Sequence, residues 1–252
     1  MTMILVFANQ KGGVGKTTSA VNIAAGIGIA GKKVLLVDSD PQCNASSAVG
    51  ILRRRVQSSV YDVLIGRADI RSAIVSTGFK NLDVLPSSPA LAGAEFELAD
   101  LERRERRLCN AVSEIKGEYD YIIVDCPPSL GLLTVNALVA GDGVIIPMQC
   151  EYFALEGLSQ ITSTIGKVRK LYNPSLMLSG IIFTMYNGRL NLSLQIVDEI
   201  KKYYKDKILL PPVPRSVRIS EAPSHGKPIQ YYDRLSKAAE AYDLLAKEII
   251  KL

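Results

Sequence analysis

The 252-residue chain is 48% hydrophobic and 22% charged, with a formal net charge of +5 and one histidine, His225. That composition suffices for one large domain with a real core, and no apolar run reaches the length of a membrane span. One histidine and four scattered cysteines (Cys43, Cys109, Cys126, Cys150) without a C-x-x-C pair speak against a zinc site and most triad chemistry, and predict reduced thiols in a cytoplasmic protein.

The first predicted element is a strand over residues 3–8, which begins almost at once and so predicts no signal peptide. The segment N-Q-K-G-G-V-G-K-T-T follows, from Asn9 to Thr18. Its glycines, Gly12, Gly13 and Gly15, let backbone N–H groups around Val14 point inward at phosphate oxygens. Lys16 adds a cation over the β- and γ-phosphates, and the Thr17 hydroxyl suits Mg2+, with Thr18 beside it. Lys11 is surplus to that pattern, and Gln10 stands where the usual loop has its first glycine, so this is a variant phosphate loop. Ala20, Ile23, Ala24, Ile27 and Ala30 then recur at helical spacing, with Gly31 placed to end the helix.

A second apolar strand over 33–38 ends in D-S-D-P (Asp38 to Pro41), a carboxylate-rich loop at the strand edge where open α/β sheets place ligands. Residues 50–80 predict a helical connector with Tyr61, Val63, Leu64 and Ile74 inward, and Arg53-Arg54-Arg55 as a solvated or ligand-facing loop. A strand over 82–86 and one long helix over 94–116 follow, the latter with Leu101, Leu108, Val112 and Ile115 on its buried face. The strand over 121–125 ends at Asp125, a carboxylate suited to magnesium through a water. Strands over 143–147, 179–183 and 208–211, and helices over 154–171, 191–204 and 238–252, complete the chain. The class is α/β: a single P-loop domain over residues 1–252, with a mostly parallel twisted sheet flanked by helices on both faces.

Charge is uneven. Residues 185–252 carry 12 Lys+Arg against 8 Asp+Glu, and residues 1–184 carry 18 against 17. That C-terminal excess suggests a polyanionic partner, a nucleic acid or an anionic membrane surface.

Four segments resemble one family: K-G-G-V-G-K-T-T (Lys11 to Thr18), V-D-S-D-P-Q (Val37 to Gln42), D-C-P-P-S (Asp125 to Ser129) and E-Y-F-A-L-E-G (Glu151 to Gly157). Together they resemble the ParA/Soj group of deviant Walker A ATPases, the bacterial chromosome- and plasmid-partitioning proteins. The resemblance implies ATP and Mg2+ as cofactors and weak, partner-stimulated hydrolysis. It implies a homodimer formed on ATP binding, non-specific binding of double-stranded DNA, and a ParB-type centromere-binding partner on the nucleoid. In its terms Lys11 reaches the neighbouring subunit's phosphates, Lys16 serves its own, and Asp40 helps orient the attacking water. Thr17, Asp38 and Asp125 lie at the metal, and Pro214 and Arg215 line the adenine pocket. Arg189 and Arg218 match DNA-contacting arginines, and Lys201, Lys202, Lys227 and Lys247 join them by the charge argument. The chain departs from the pattern at Cys43, where the family often has glycine, and at Ser216, where asparagine is common.

Two other readings share the scaffold. A MinD-like membrane-cycling regulator of the division site would need an amphipathic C-terminal tail, whereas Ala239, Tyr242, Leu245, Ala246 and Ile249 predict a core-packing stripe. A nitrogenase-type iron protein would need cysteines placed to bridge a cluster, and Cys126 is the one candidate.

Overall fold

The computed structural model describes residues 2–252; Met1, which the predicted domain range includes, lies outside the described residues. Seven strands form one sheet in the order β3-β4-β2-β5-β1-β6-β7. They are β1 (Met3–Phe7), β2 (Val34–Asp38), β3 (Val75–Ser76), β4 (Leu82–Leu85), β5 (Tyr121–Asp125), β6 (Gly143–Gln149) and β7 (Met177–Thr184). Every pairing is parallel except β3 with β4. β1, β2 and β5 are apolar almost throughout because helices cover both faces of the sheet, leaving no solvent side to demand alternation.

One face packs against α1 (Lys16–Ile29), α2 (Asn44–Ala48), α10 (Val217–Glu221), α11 (Ile229–Tyr232) and α12 (Lys237–Ile249). The other packs against α3 (Val60–Ile65), α4 (Ile70–Ala73), α5 (Ala94–Leu98), α6 (Arg107–Ser113), α7 (Leu132–Ala140), α8 (Ala154–Leu171) and α9 (Asn191–Tyr204). The predicted stripe on α12 is buried: Ala239, Tyr242, Leu245, Ala246 and Ile249 are each at most 1% exposed. It lies on α1, where the Tyr242 hydroxyl meets the Ser19 hydroxyl at 3.2 Å. A Cβ at Gly26 would sit 2.8 Å from Ala246 Cβ, so a glycine is what lets these two helices approach. Gly31, at φ +96°, stands one residue beyond the C-cap Ala30, as the sequence predicts.

Three predicted elements differ. The long helix over 94–116 is two helices, α5 and α6, separated by a turn in which Arg103 has φ +52° and Leu101 is exposed. The buried positions explain the break. Leu91, Ala94 and Leu98 keep one phase and Leu108, Ala111, Val112 and Ile115 keep another. Ten residues at about 100° each leave Leu108 roughly 80° off the Leu98 face, and between them Glu102 to Arg107 offers no apolar side chain to hold a continuous helix on the core. The predicted strand over 208–211 is a single bridge, Ile208 to Ile181, because prolines 211, 212 and 214 lack the N–H groups a ladder needs. The connector over 50–80 holds the helices expected there, with Tyr61, Val63 and Leu64 inward, and also the antiparallel edge strand β3.

Candidate functional site

The site assembles at the C-terminal ends of the central strands. Parallel register sets Phe7 level with Asp125 and Asp125 level with Asp38, so the strand ends of β1, β5 and β2 share one edge. The loop from Asn9 to Gly15 leaves β1 there and enters α1 directly. Gly13 (φ +73°) and Gly15 (φ +80°, the N-cap of α1) occupy left-handed backbone, where a side chain would be strained. The first turn of α1 presents its N–H groups and the positive end of its dipole toward the loop.

Neighbouring strand ends hold the loop in shape. The Thr184 hydroxyl donates to Val14 O (2.7 Å), Gln149 Nε2 donates to Gly13 O (2.8 Å), and Asn9 Nδ2 donates to Pro147 O (2.9 Å). Sequence reasoning did not single out Gln149 or Thr184, because their role exists only once β6 pairs with β1 and β7 with β6.

The two lysines part company. Lys16 is buried and curls back over the loop, its Nζ donating to Lys11 O at 3.0 Å. Burial lowers its pKa, opposed by the charges of Asp125, Cys126 and Asp40. Lys11 instead points to the rim, where its Nζ meets Glu151 Oε2 at 2.5 Å with both side chains substantially exposed. Glu151 belongs to the E-Y-F-A-L-E-G segment, so the motif was visible in sequence while its contact was not. Beside Glu151, Tyr152 is 76% exposed and Phe153 63% exposed.

The carboxylates differ as sharply. Asp38 is fully buried; its Oδ2 accepts from the Ser46 N–H (2.7 Å) and hydroxyl (2.6 Å), and its Oδ1 from the Asp40 N–H (3.3 Å). Burial pushes its pKa up to about 6 against those hydrogen bonds. Asp40 is nearly buried and folds on itself, Oδ1 accepting from the Gln42 N–H at 2.9 Å. Asp125 is fully buried, and among the described residues neither carboxylate oxygen has a hydrogen-bond partner. Burial, then the Asp38 charge, raises its pKa well above the ordinary range; the Thr17 hydroxyl and Lys16 only partly offset this. A buried carboxylate without partners next to a threonine at a helix start is the setting a hydrated Mg2+ fits. Asp38, with both oxygens engaged, is the less available of the two aspartates.

A cavity of about 470 Å³ runs from Gly15, Thr17 and Thr18 past Asn44 on α2 to Pro214, Arg215 and Ser216. Phosphate loop and predicted adenine segment thus share one hollow, and the broken segment after Ile208 is what carries Pro214 back to it. Lys227, predicted as a DNA contact, lines this cavity too. The other five predicted contacts are spread out. Arg189 lies with Glu151 and Leu190 on a cleft of about 610 Å³, and Lys247 is exposed on α12. Three are paired with carboxylates: Lys201 with Asp198 (3.6 Å), Lys202 with Glu199 (2.5 Å), and Arg218 with Glu221 (3.1 Å) and Asp233 (3.5 Å). Cys126 is fully buried with its thiol pKa pushed up, which is unlike a cluster ligand at a subunit surface.

Sheet order, glycine loop and buried carboxylates define a P-loop nucleotide-binding protein. The AAA domain family matches residues 2–178. The sporulation initiation inhibitor protein Soj of Bacillus subtilis is 54% identical over 249 residues, covering 99% of this chain and 98% of its own length. The chromosome partitioning protein ParA of Myxococcus xanthus is 49% identical, covering 98% of this chain and 88% of its own. Among solved structures, cobyrinic acid a,c-diamide synthase from Mycobacterium smegmatis with bound ATP analog and magnesium superposes with a TM-score of 0.87 at 37% identity, over 100% of this chain and 95% of its own. The septum site-determining protein MinD of Pyrococcus horikoshii, complexed with Mg-ADP, gives 0.81 at 30% identity, over 100% and 97%. The chain belongs to the ParA/Soj family of chromosome-partitioning P-loop ATPases, whose cofactors are ATP and Mg2+. The MinD likeness is the more distant one. No helix among the described residues is long and apolar enough to cross a membrane.

Proposed function

We propose that the chain works as one domain, residues 1–252, that uses ATP to switch between a single copy and a DNA-holding pair. The observation that carries this is the division of labour between the two lysines. Lys16 lies over its own loop, while Lys11 stands outside that cradle on an exposed rim with Tyr152 and Phe153 beside it. A cation placed there serves a phosphate only when a second copy brings one to it, and exposed aromatic side chains at the same rim are what such a face would bury.

The roles follow. The N–H groups from Gly12 to Thr18 cradle the phosphates, and Pro214 and Arg215 hold the base end of the cavity. Thr17 and Asp125 hold the magnesium, with Asp38 fixing the loop that carries Asp40. The metal, when bound, supplies positive charge to the β- and γ-phosphate oxygens. Asp40 orients the water that attacks the γ-phosphate. Lys11 must leave Glu151 to reach the neighbour, an exchange that costs little because exposed ion pairs contribute about 0–1 kcal/mol.

Pairing doubles the basic surface, so phosphate contacts that are weak in one copy gain from linkage in two. Arg189, Lys227 and Lys247, which have no ion-pair partner among the described residues, are the first such contacts; Arg218, Lys201 and Lys202 are partly neutralised by their carboxylates. Hydrolysis is slow alone and stimulated by a ParB-type centromere-binding partner, after which the pair separates and leaves the nucleoid, all in the cytoplasm and without a membrane. The test is retention on duplex DNA with ATP, with ADP and without nucleotide. ATP-selective retention supports the switch, and equal retention in all three refutes it.

A further inference from the structure

The exposed turn Arg53–Arg55, which the sequence leaves as a solvated or ligand-facing loop, is a basic element outside the nucleotide site. No aspartate or glutamate occurs between Pro41 and Tyr61, so the three arginines are the only charges in that stretch. All three are exposed, and among the described residues none has an ion-pair partner. Arg53 is partly committed, its guanidinium donating to Gln42 O at 2.6 Å. Among the described residues, Arg54 and Arg55 make no hydrogen bond through their side chains.

The turn is fixed against the C-terminal basic segment. A Cβ on Gly226 would lie 2.8 Å from Gly50 Cα, so two glycine backbones touch just before Arg53 and just before Lys227. At about 3.3–3.6 Å per extended residue, the Cα of Arg53 lies within roughly 20 Å of the Cα of Lys227. At 3.4 Å per base pair, that separation is at most about six base pairs of duplex.

We propose that Arg54 and Arg55 form a second DNA-backbone contact, placed beside Lys227 and separate from α9 and α12. The proposal rests on the DNA-binding reading above and adds a surface to it. A 3₁₀ turn has three residues per turn, so its side chains fan apart; with Arg53 held on Gln42, two guanidinium groups remain for phosphates. An exposed projecting turn suits a polymer of phosphates better than a small anion, which would need an enclosing site, and guanidinium groups match phosphate oxygens two at a time.

The experiment is fluorescence anisotropy on a random-sequence duplex with ATP and Mg2+ from 50 to 200 mM KCl, for wild type, R54Q/R55Q and R189Q. Each lost phosphate contact makes the log–log salt slope shallower by about 0.9, which is about 8-fold in affinity at 0.1 M salt. R54Q/R55Q is expected to be shallower by about 1.8 per engaged subunit, while still melting like wild type and still pairing with ATP. An unchanged slope, in a setting where wild type binds and R189Q weakens binding, overturns this proposal alone. Absence of ATP-dependent DNA binding by wild type overturns the DNA reading beneath it. Loss of ATP-dependent pairing in R54Q/R55Q, or a loss of binding to phosphatidylserine vesicles in place of DNA, also overturns the assignment.

Discussion

Asp125→Asn should stabilise the chain in the absence of nucleotide and magnesium. Asp125 is fully buried with no hydrogen-bond partner on either oxygen, and burial and Asp38 raise its pKa well above the usual carboxylate range. The folded state therefore binds this proton more tightly than the unfolded state does, and stability falls as pH rises above the unfolded pKa of about 3.9. The penalty has a ceiling. A carboxyl can always stay protonated, at about 1.36 kcal/mol per pH unit above its unfolded pKa, so at pH 7 the cost is at most about 4 kcal/mol. Asparagine escapes it but buries an amide where neither carboxylate oxygen finds a hydrogen-bond partner, which returns part of the gain. The net gain expected at pH 7 is about 1–3 kcal/mol, at about 2–4 °C in Tm for each kcal/mol in a chain of this size. Melting curves of both proteins at pH 4.5 and pH 7, without nucleotide or Mg2+, check this. The variant should gain at pH 7 and lose that advantage at pH 4.5. A variant less stable at pH 7, or a difference that ignores pH, refutes the reasoning. With Mg-ATP added, the order should reverse, because the wild type alone recovers stability from the ion.

Lys11→Ala should leave Tm within about 4 °C of wild type, since the Lys11–Glu151 pair is exposed, and should abolish ATP-dependent pairing in size-exclusion chromatography. Lys16→Ala should lose nucleotide binding, read by a fluorescent ATP analogue, because Lys16 is the cation that curls over the loop while Lys11 points to the rim. Cys43 is buried in left-handed backbone at φ 59°; Cys43→Val should cost more than about 1 kcal/mol by urea unfolding, whereas Cys43→Gly, which relieves the backbone, should stay within about 1 kcal/mol.

What the sequence made legible was what is local. The phosphate loop, its helix and the aspartates at strand ends each depend on a few adjacent residues, and all lie where their spacing placed them. The contrast between Asp38 and Asp125 was hidden, because it depends on Ser46 reaching one of them and nothing reaching the other. Lys11 read as surplus charge and Glu151 as part of a motif; their contact joins residues 140 positions apart. The break between α5 and α6 was recoverable from Glu102 to Arg107, a run with no apolar side chain to pack on the core. The bridge at Ile208 was recoverable from its prolines. The carboxylates beside Arg218 were less so, because Asp233 arrives from beyond the next helix.

Size-exclusion chromatography with light scattering on Asp40→Ala, with ATP and Mg2+ and with or without duplex DNA, tests the central claim most directly. If Asp40 orients the attacking water, the variant binds ATP, does not hydrolyse it, and elutes as a stable dimer that carries DNA. A variant that stays monomeric with ATP bound, or that hydrolyses ATP at the wild-type rate, contradicts the nucleotide-gated pair.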